Sequence, residues 1–196
     1  QPRAMLDAML KNGINAPIAS SCGRLFDAVA AALGICRDRQ AYEGEAAARL
    51  EAIVDDAALR EENDSHSYVF TIPTLSGSNL PYIEPVSMWN ALLNDLSLKT
   101  PSGIIAARFH RGLAKSIANM TQQLALSSGN KARRFDTVAL SGGCFQNKVL
   151  FEEVVRLLMI DGFTILSHSR VPANDGGLAL GQAAIAAARL IDKKKH

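Results

Sequence analysis

The sequence predicts a helix-rich α/β fold, and three observations support this prediction. Apolar residues recur at a helical spacing through most of the 196-residue chain. Short apolar runs typical of strands occur at only three places, and the clearest of them is 137–140. This run is broken by Gly142-Gly143 and followed, from about Asn147 to residue 160, by a helical pattern. A strand, a tight glycine turn and a helix are therefore predicted here.

The remaining elements follow from the same spacing rules. Helices are predicted at 2–11, 22–33, 42–54, 85–96, 102–127 and from the 174–177 segment to about 192, and strands at 68–72 and 163–166. Loops are predicted at 55–67, 74–84 and 127–131. Three strands are fewer than the roughly five of an average sheet. We therefore expect residues 1–196 to form a single lobe of a larger fold whose other strands precede residue 1.

The composition argues against several classes of function. The chain has 21 basic and 19 acidic residues, a formal charge of +2 and no basic stripe, so a nucleic-acid partner is not expected. No apolar run approaches the length of a membrane span, and the first residues lack the pattern of a signal peptide. We expect a soluble, cytoplasmic protein.

The cysteines and histidines form no recognisable metal-binding motif. Cys22, Cys36 and Cys144 are far apart and make no CxxC pair, which argues against a zinc knuckle or a disulfide framework and fits a reducing cytoplasm. No two histidines are three or four residues apart. His110 is predicted to pack at the edge of the core. Cys144 is predicted to be structural, because no histidine is evidently placed to activate it.

Three glycine-marked segments near helix starts are candidates for one site. They are Gly23 with Asp27, Gly142-Gly143 with Asn147, and the segment 174–177, which contains Asp175. Loops at the carboxyl ends of strands meet at one crevice of an α/β sheet, and glycines let a ligand approach the backbone. We therefore predict that these segments line one concave surface, and that the helix after the glycine turn offers unpaired N–H groups to a ligand.

Each of these candidates also has a structural interpretation. Asn147 and Asp175 stand where helix caps are common, and Asp27 on a helix surface is ordinarily a solvated charge. The glycine pair could serve only to turn the chain between a strand and a helix. From the residues alone, both interpretations remain open.

The last predicted helix carries a stripe of small residues, Gly177, Gly181, Ala184 and Ala188. A glycine inside a helix costs about 1 kcal/mol relative to alanine. We therefore expect this stripe to pack closely against the central helix or the sheet, and we expect Gly181→Leu to destabilise the lobe.

Five segments, taken in order, resemble one protein family. They are SSCGRLFDAVAAALGI (20–35), YEGEAAARLE (42–51), RFHRGLA (108–114), LSGGCFQNKVL (140–150) and NDGGLALGQAAIAAAR (174–189). Together they are similar to the C-terminal part of the HypF carbamoyltransferases of NiFe-hydrogenase maturation. More loosely, they resemble the tRNA threonylcarbamoyladenosine synthases and the NodU-type carbamoyltransferases. The resemblance implies the helix-rich C-terminal lobe of an actin-like (ribonuclease H-like), two-lobed ATPase fold.

The resemblance also implies a reaction. The family forms carbamoyl-adenylate from carbamoyl phosphate and ATP, and then transfers the carbamoyl group to the C-terminal cysteine of HypE. By this resemblance the adenosine side of the nucleotide site would contain Gly23, Asp27, Gly142, Gly143 and Asn147.

One further residue matches a metal ligand of the family. Asp175 matches an aspartate that binds the active-site divalent metal ion, but the two histidine ligands, the other lobe and the upstream domains of the family have no counterpart here. We therefore do not expect this chain alone to hold the ion, to bind ATP more than weakly or to transfer carbamoyl groups. The alternatives are a non-catalytic module that docks a partner protein, and a lobe like that of the tRNA threonylcarbamoyladenosine synthases.

Overall fold

The computed structural model describes residues 2–17, 19–60, 66–126 and 135–193, and most of them are helical. The helices are α1 (Arg3–Asn12), α2 (Cys22–Ala32), α3 (Glu45–Ala52), α4 (Asp56–Arg60), α5 (Val86–Ser97), α6 (Ser102–Leu126), α7 (Lys148–Ile160) and α8 (Leu178–Lys193). The strands are β1 (Thr137–Leu140) and β2 (Thr164–Ser167). The predicted helix-rich α/β fold is thus confirmed.

The two strands are parallel and are joined through α7. Their register pairs Thr137 with Thr164 and Leu140 with Ser167. Gly142 turns the chain after β1 with a φ of 111°, a conformation that residues with a Cβ rarely adopt. One turn of 3-10 helix, Gly143–Gln146, then leads into α7. The predicted strand, glycine turn and helix are confirmed, and only the 3-10 turn between them was not foreseen.

The long helix α6 forms the centre of the core. Its buried large side chains include Ile105, Phe109 and Leu113, which recur every four residues. The helix α7 packs along it and contributes Leu150, Val154 and Leu158 from its own buried face, with α4 and α5 also in contact with α6. Small buried residues on α6, among them Ala106 and Ala114, allow these neighbours to approach closely.

The segment 68–72 is not a strand, so this prediction was wrong. It is an extended segment that lies across α6, with Tyr68 and Phe70 buried. The backbone N–H of Tyr68 donates to the carbonyl oxygen of Arg108 at 3.2 Å. A Cβ on Gly112 would overlap the carbonyl oxygen of Tyr68, so the missing side chain permits this approach. Thr71 in this segment makes an isolated antiparallel bridge with Glu84, and among the described residues the segment does not pair with β1 or β2.

A polar cluster fixes the same segment to α5 and α6. Asp95 Oδ2 accepts hydrogen bonds from Tyr68 Oη at 2.7 Å and from Arg108 Nη1 at 2.6 Å. Burial, together with the hydrogen bond to Asp95, raises the pKa of Tyr68 far above its usual range. The carboxylate therefore joins the segment 68–72 to α5 and α6.

The loops predicted at 55–67 and 127–131 have different outcomes. The predicted loop at 55–67 contains the short helix α4, so it was wrong in part; Arg111 of α6 donates to the carbonyl oxygen of Ala58 in this helix at 3.2 Å. Residues 61–65 of that loop, and the predicted loop at 127–131, lie outside the described residues.

The predicted packing of the small stripe on α8 is wrong for this chain. Nothing among the described residues lies within 4 Å of a Cβ built on Gly181. Large apolar residues along α8 are 55–65% exposed, including Leu180, Ile185 and Leu190. The helix leaves the 3-10 turn Asp175–Gly177 without folding back onto the core, so Gly181→Leu has nothing here to overpack.

None of the helices in the described ranges is both long and apolar enough to cross a membrane.

The contrast between two helical glycines gives a stability prediction. We expect Gly112→Ala to lower the free energy of unfolding by roughly 3 kcal/mol, because the new methyl group meets the backbone of Tyr68 rather than a movable side chain. Urea unfolding of the wild type and the variant measures this difference.

The matched control is Gly181→Ala, where the added methyl group meets only open space. It should raise the stability by up to about 1 kcal/mol through the better helix propensity of alanine. Equal shifts of the two midpoints would contradict the proposed close approach at Gly112.

Candidate functional site

The glycine turn after β1 directly contacts the loop after β2. The N–H of Gly142 donates to the carbonyl oxygen of Ala173 at 2.8 Å. A Cβ built on Gly143 would lie 3.8 Å from Cβ of Asn174, the residue before Asp175. Both loops follow the carboxyl ends of parallel strands, which is where ligands bind in open α/β sheets.

The start of α2 reaches the same turn from the other side. A Cβ built on Gly23 would lie 3.6 Å from Ser21 Oγ and 4.0 Å from Cys144 Sγ, and α2 contacts the 3-10 turn that contains Cys144. The three glycine-marked segments therefore adjoin one another, in the order α2, glycine turn and 172–177 loop. Their proximity agrees with the predicted common surface, whereas their role in binding stays a prediction.

Asp27 lies one turn beyond Gly23 on α2, and its carboxylate already has partners. It pairs with Arg24 Nη1 at 3.2 Å and accepts a hydrogen bond from Gln40 Nε2 at 3.3 Å. The side chain is thus neither buried nor a simple solvated charge. A ligand at this position would bind to a carboxylate whose orientation these two neighbours fix.

Asn147 differs from the other predicted site residues because its side chain faces the core. The residue is only 7% exposed. Its Oδ1 accepts from the N–H of Leu150 at 2.8 Å, which is an N-cap interaction, and its Nδ2 lies 3.1 Å from His110 Nε2. Because both polar ends of the amide are occupied within the protein, the structure favours the capping interpretation of this residue.

His110 is the buried partner that sequence reasoning did not connect to Asn147. The side chain is fully buried, and burial lowers the pKa of His110 to about 4. Its Nδ1 lies 2.8 Å from the carbonyl oxygen of Ala106. A carbonyl can only accept, so we assign the proton to Nδ1 and make Nε2 the acceptor from Asn147 Nδ2. The position of His110 beside Phe109 predicted its burial, but no signal in the sequence indicated its partner.

The first turn of α7 is capped a second time, by a residue from α3. Glu51 Oε1 accepts from the N–H groups of Lys148 at 2.6 Å and Val149 at 3.1 Å. With Leu150 bound to Asn147, the first three N–H groups of the helix are occupied. The prediction that this helix start offers unpaired N–H groups to a ligand was therefore wrong, because a carboxylate distant in sequence fills that place.

Asp175 is exposed and begins the 3-10 turn before α8. Asn174 caps this turn by accepting from the N–H of Gly176 at 3.0 Å, so Asp175 is not the cap. The Asp175 carboxylate makes no hydrogen bond or ion pair within the described part of the chain. The described residues contain no group of three or more His, Cys, Asp or Glu side chains suited to a metal ion. Asp175 could thus supply one oxygen ligand, and further ligands would have to come from elsewhere.

A shallow pocket lies at the carboxyl ends of the two strands, beside the glycine turn. Its lining includes Phe145 and Gln146 from the 3-10 turn and His168 and Val171 from the loop after β2. His168 Nε2 lies 3.1 Å from Ser141 Oγ, so the residues that follow the two strands contact each other directly.

Comparison with known proteins defines the class of this lobe. Residues 1–182 match the family described as "Carbamoyltransferase, Kae1-like Domain, second subdomain". The structure is similar to a crystal structure of full-length HypF in the phosphate- and nucleotide-bound form, with a TM-score of 0.80 and 30% identity over 97% of this chain and 23% of that one. It is also similar to HypF of T. kodakarensis, with a TM-score of 0.70 and 27% identity over 96% of this chain and 23% of that one.

Curated relatives indicate the same family. The chain is 42% identical to the carbamoyltransferase HypF of Rhodobacter capsulatus, over 96% of this chain and 22% of that protein. It is 36% identical to a carbamoyltransferase HypF homolog of Cupriavidus necator, over 92% of this chain and 43% of that protein. The chain belongs to the HypF carbamoyltransferase family. It spans less than half the length of each of these relatives.

The buried histidine gives a prediction about pH. Because the pKa of His110 falls from 6.5 in the unfolded chain to about 4 in the folded one, the unfolded state binds more protons between these values. His110 therefore does not reduce the free energy of unfolding above pH 6.5, and it reduces this free energy increasingly as the pH falls towards 4. We expect the wild type to lose about 2 kcal/mol more stability than His110→Gln between about pH 7 and about pH 5.

Urea unfolding at the two pH values measures this loss. The carboxylates are common to both proteins, so only the difference between the two pH dependences is assigned to His110. Parallel pH dependences would show that His110 does not titrate in this way.

Proposed function

We propose that this chain is the lobe of a HypF-type carbamoyltransferase that forms the adenosine side of the active site. The complete enzyme would make carbamoyl-adenylate from carbamoyl phosphate and ATP in the cytoplasm. It would then transfer the carbamoyl group to the C-terminal cysteine of HypE during NiFe-hydrogenase maturation. The chain spans less than half the length of these relatives, so the reaction is proposed for the complete protein.

One observation carries the proposal, namely the junction of the three glycine-marked segments. Gly23 adjoins the 3-10 turn, and Gly142 and Gly143 adjoin residues 173–174. A row of positions without side chains leaves backbone that a flat base and ribose can approach. A solved relative with a TM-score of 0.80 is a HypF bound to phosphate and nucleotide, which supports this use of the surface.

The capping of α7 restricts how the nucleotide would bind. Glu51 and Asn147 already occupy the first N–H groups of α7, so this helix start has no free donors for phosphate oxygens. We therefore place the adenosine against the glycine turn and the start of α2, with Asp27 as an oriented acceptor for hydroxyl groups. The phosphates would extend towards the exposed carboxylate of Asp175.

Asp175 is the residue of this chain that fits a divalent metal ion. Its carboxylate is exposed and is not engaged by another described residue, and carboxylate oxygens suit hard divalent cations. A bound ion would stabilise the negative charge that develops on phosphate oxygens during adenylyl transfer. The remaining ligands would come from the parts of the complete protein that lie outside this chain.

A second candidate function, a docking module for another protein, is favoured by α8. Its large apolar residues are more than half exposed along the whole helix, and such surfaces are typical of interfaces. A pure docking module would not require a free carboxylate at Asp175 or a glycine junction. Activity measurements on site variants separate the two functions.

The decisive variant is Asp175→Asn in the complete protein. We expect it to lower carbamoyl phosphate-dependent release of pyrophosphate from ATP by about 100-fold or more, because loss of a metal ligand removes several kcal/mol of charge stabilisation. The control is Asp7→Asn on α1, an exposed carboxylate that only pairs with Arg3 at 3.8 Å. Equal activity of the two variants would contradict the proposed role of Asp175.

The chain 1–196 alone should show no carbamoyl transfer and only weak binding of ATP. Ligand sites normally bury about 70–90% of the ligand surface, whereas this lobe supplies one open side of the site. Titration of the purified chain with ATP, followed by calorimetry, measures the affinity. Turnover of carbamoyl phosphate by this chain would show that the second lobe is unnecessary.

A further inference from the structure

Two of the three cysteines meet at the junction between α2 and the 3-10 turn. Cys22 is the first residue of α2, and Cys144 lies in the turn Gly143–Gln146. The two elements are in contact, and a Cβ built on Gly23, the neighbour of Cys22, would lie 4.0 Å from Cys144 Sγ. The two thiols are neighbours, since each is the main influence on the pKa of the other. Cys36 lies beyond the other end of α2, which makes it an internal control.

The surroundings of the pair make one sulfur the better nucleophile. The hydrogen bond from the Cys22 thiol lowers the pKa of Cys144 to about 7, whereas the same interaction and burial raise the pKa of Cys22. Cys144 is only partly buried, so a small reagent can reach it. The thiolate is the reactive form of cysteine, and a second thiol in contact with it is the arrangement of a resolving cysteine.

A purely structural role does not account for the contact between the two cysteines. Both residues pack against the core as small apolar side chains would. Packing alone does not require the two thiols to be neighbours across elements that are distant in sequence.

We propose that Cys22 and Cys144 are a site of reversible disulfide formation by low-molecular-weight disulfides such as oxidised glutathione. The bond would join the first turn of α2 to the turn that follows β1. This inference does not depend on the proposed carbamoyl transfer, because the thiol chemistry requires no nucleotide.

The reaction consists of two thiol–disulfide exchanges. The Cys144 thiolate attacks oxidised glutathione, which forms a mixed disulfide on Cys144 and releases one glutathione thiolate. Cys22 then loses its proton to solvent and attacks the Cys144 sulfur, which releases the second glutathione thiolate. Two protein thiols are oxidised, and one molecule of oxidised glutathione is reduced to two of glutathione.

The experiment treats the chain 1–196 with oxidised glutathione under native conditions. We expect two of its three thiols to be lost from an Ellman titration and to return after dithiothreitol. Peptide mapping should find one intramolecular link, between the peptides of Cys22 and Cys144. Cys36→Ser, the matched control, should still form this link.

The single variants test the order of the two exchanges. Cys22→Ser should accumulate glutathione on Cys144, because the resolving thiol is missing, and Cys144→Ser should form no intramolecular link. The proposal is overturned if the wild type keeps all its thiols, if the link includes Cys36, or if it joins two molecules. Because the wild-type peptide map alone decides these outcomes, the test remains valid even if a variant folds poorly.

Discussion

The structure depends on close backbone packing along α6. Gly112 has no side chain where the backbone of Tyr68 crosses the helix, and small buried residues such as Ala106 and Ala114 let other elements approach. The backbone N–H of Tyr68 thereby donates to a carbonyl oxygen of the helix and not to a neighbouring strand. Asp95 then fixes this segment to two helices through hydrogen bonds with Tyr68 and Arg108. The core in this way forms around α6, beside a sheet of only two described strands.

The same helix positions the candidate site through His110. The buried imidazole holds Asn147, Asn147 caps α7, and α7 fixes where the glycine turn ends. Glu51 strengthens this arrangement from α3 by accepting the first two N–H groups of α7. The consequence for binding is that the surface available to a ligand is the backbone of the turn and of the α2 start. The helix start itself is already occupied.

The exposed regions of the chain agree with the proposal that it forms one side of a binding site. The carboxylate of Asp175 makes no hydrogen bond or ion pair with the described residues, and α8 exposes large apolar side chains beside it. A metal ion and a nucleotide both require partners on the opposite side of the crevice. The chain belongs to the HypF family and spans less than half the length of its relatives from Rhodobacter capsulatus and Cupriavidus necator, which agrees with the proposed role as part of a larger protein.

The sequence by itself determined most of the local elements and the family. The change of apolar spacing at Gly142 predicted β1, the turn and α7, because periodicity depends only on which residues face the core. Only the tertiary structure decided what distant residues do to one another. The aromatic and β-branched run at 68–72 became an extended segment on α6, since Gly112 accommodated it there. Glu51 bound N–H groups at the start of α7, and α8 left Gly181 exposed. Long-range contacts and not local propensity determine which groups are paired and which remain free.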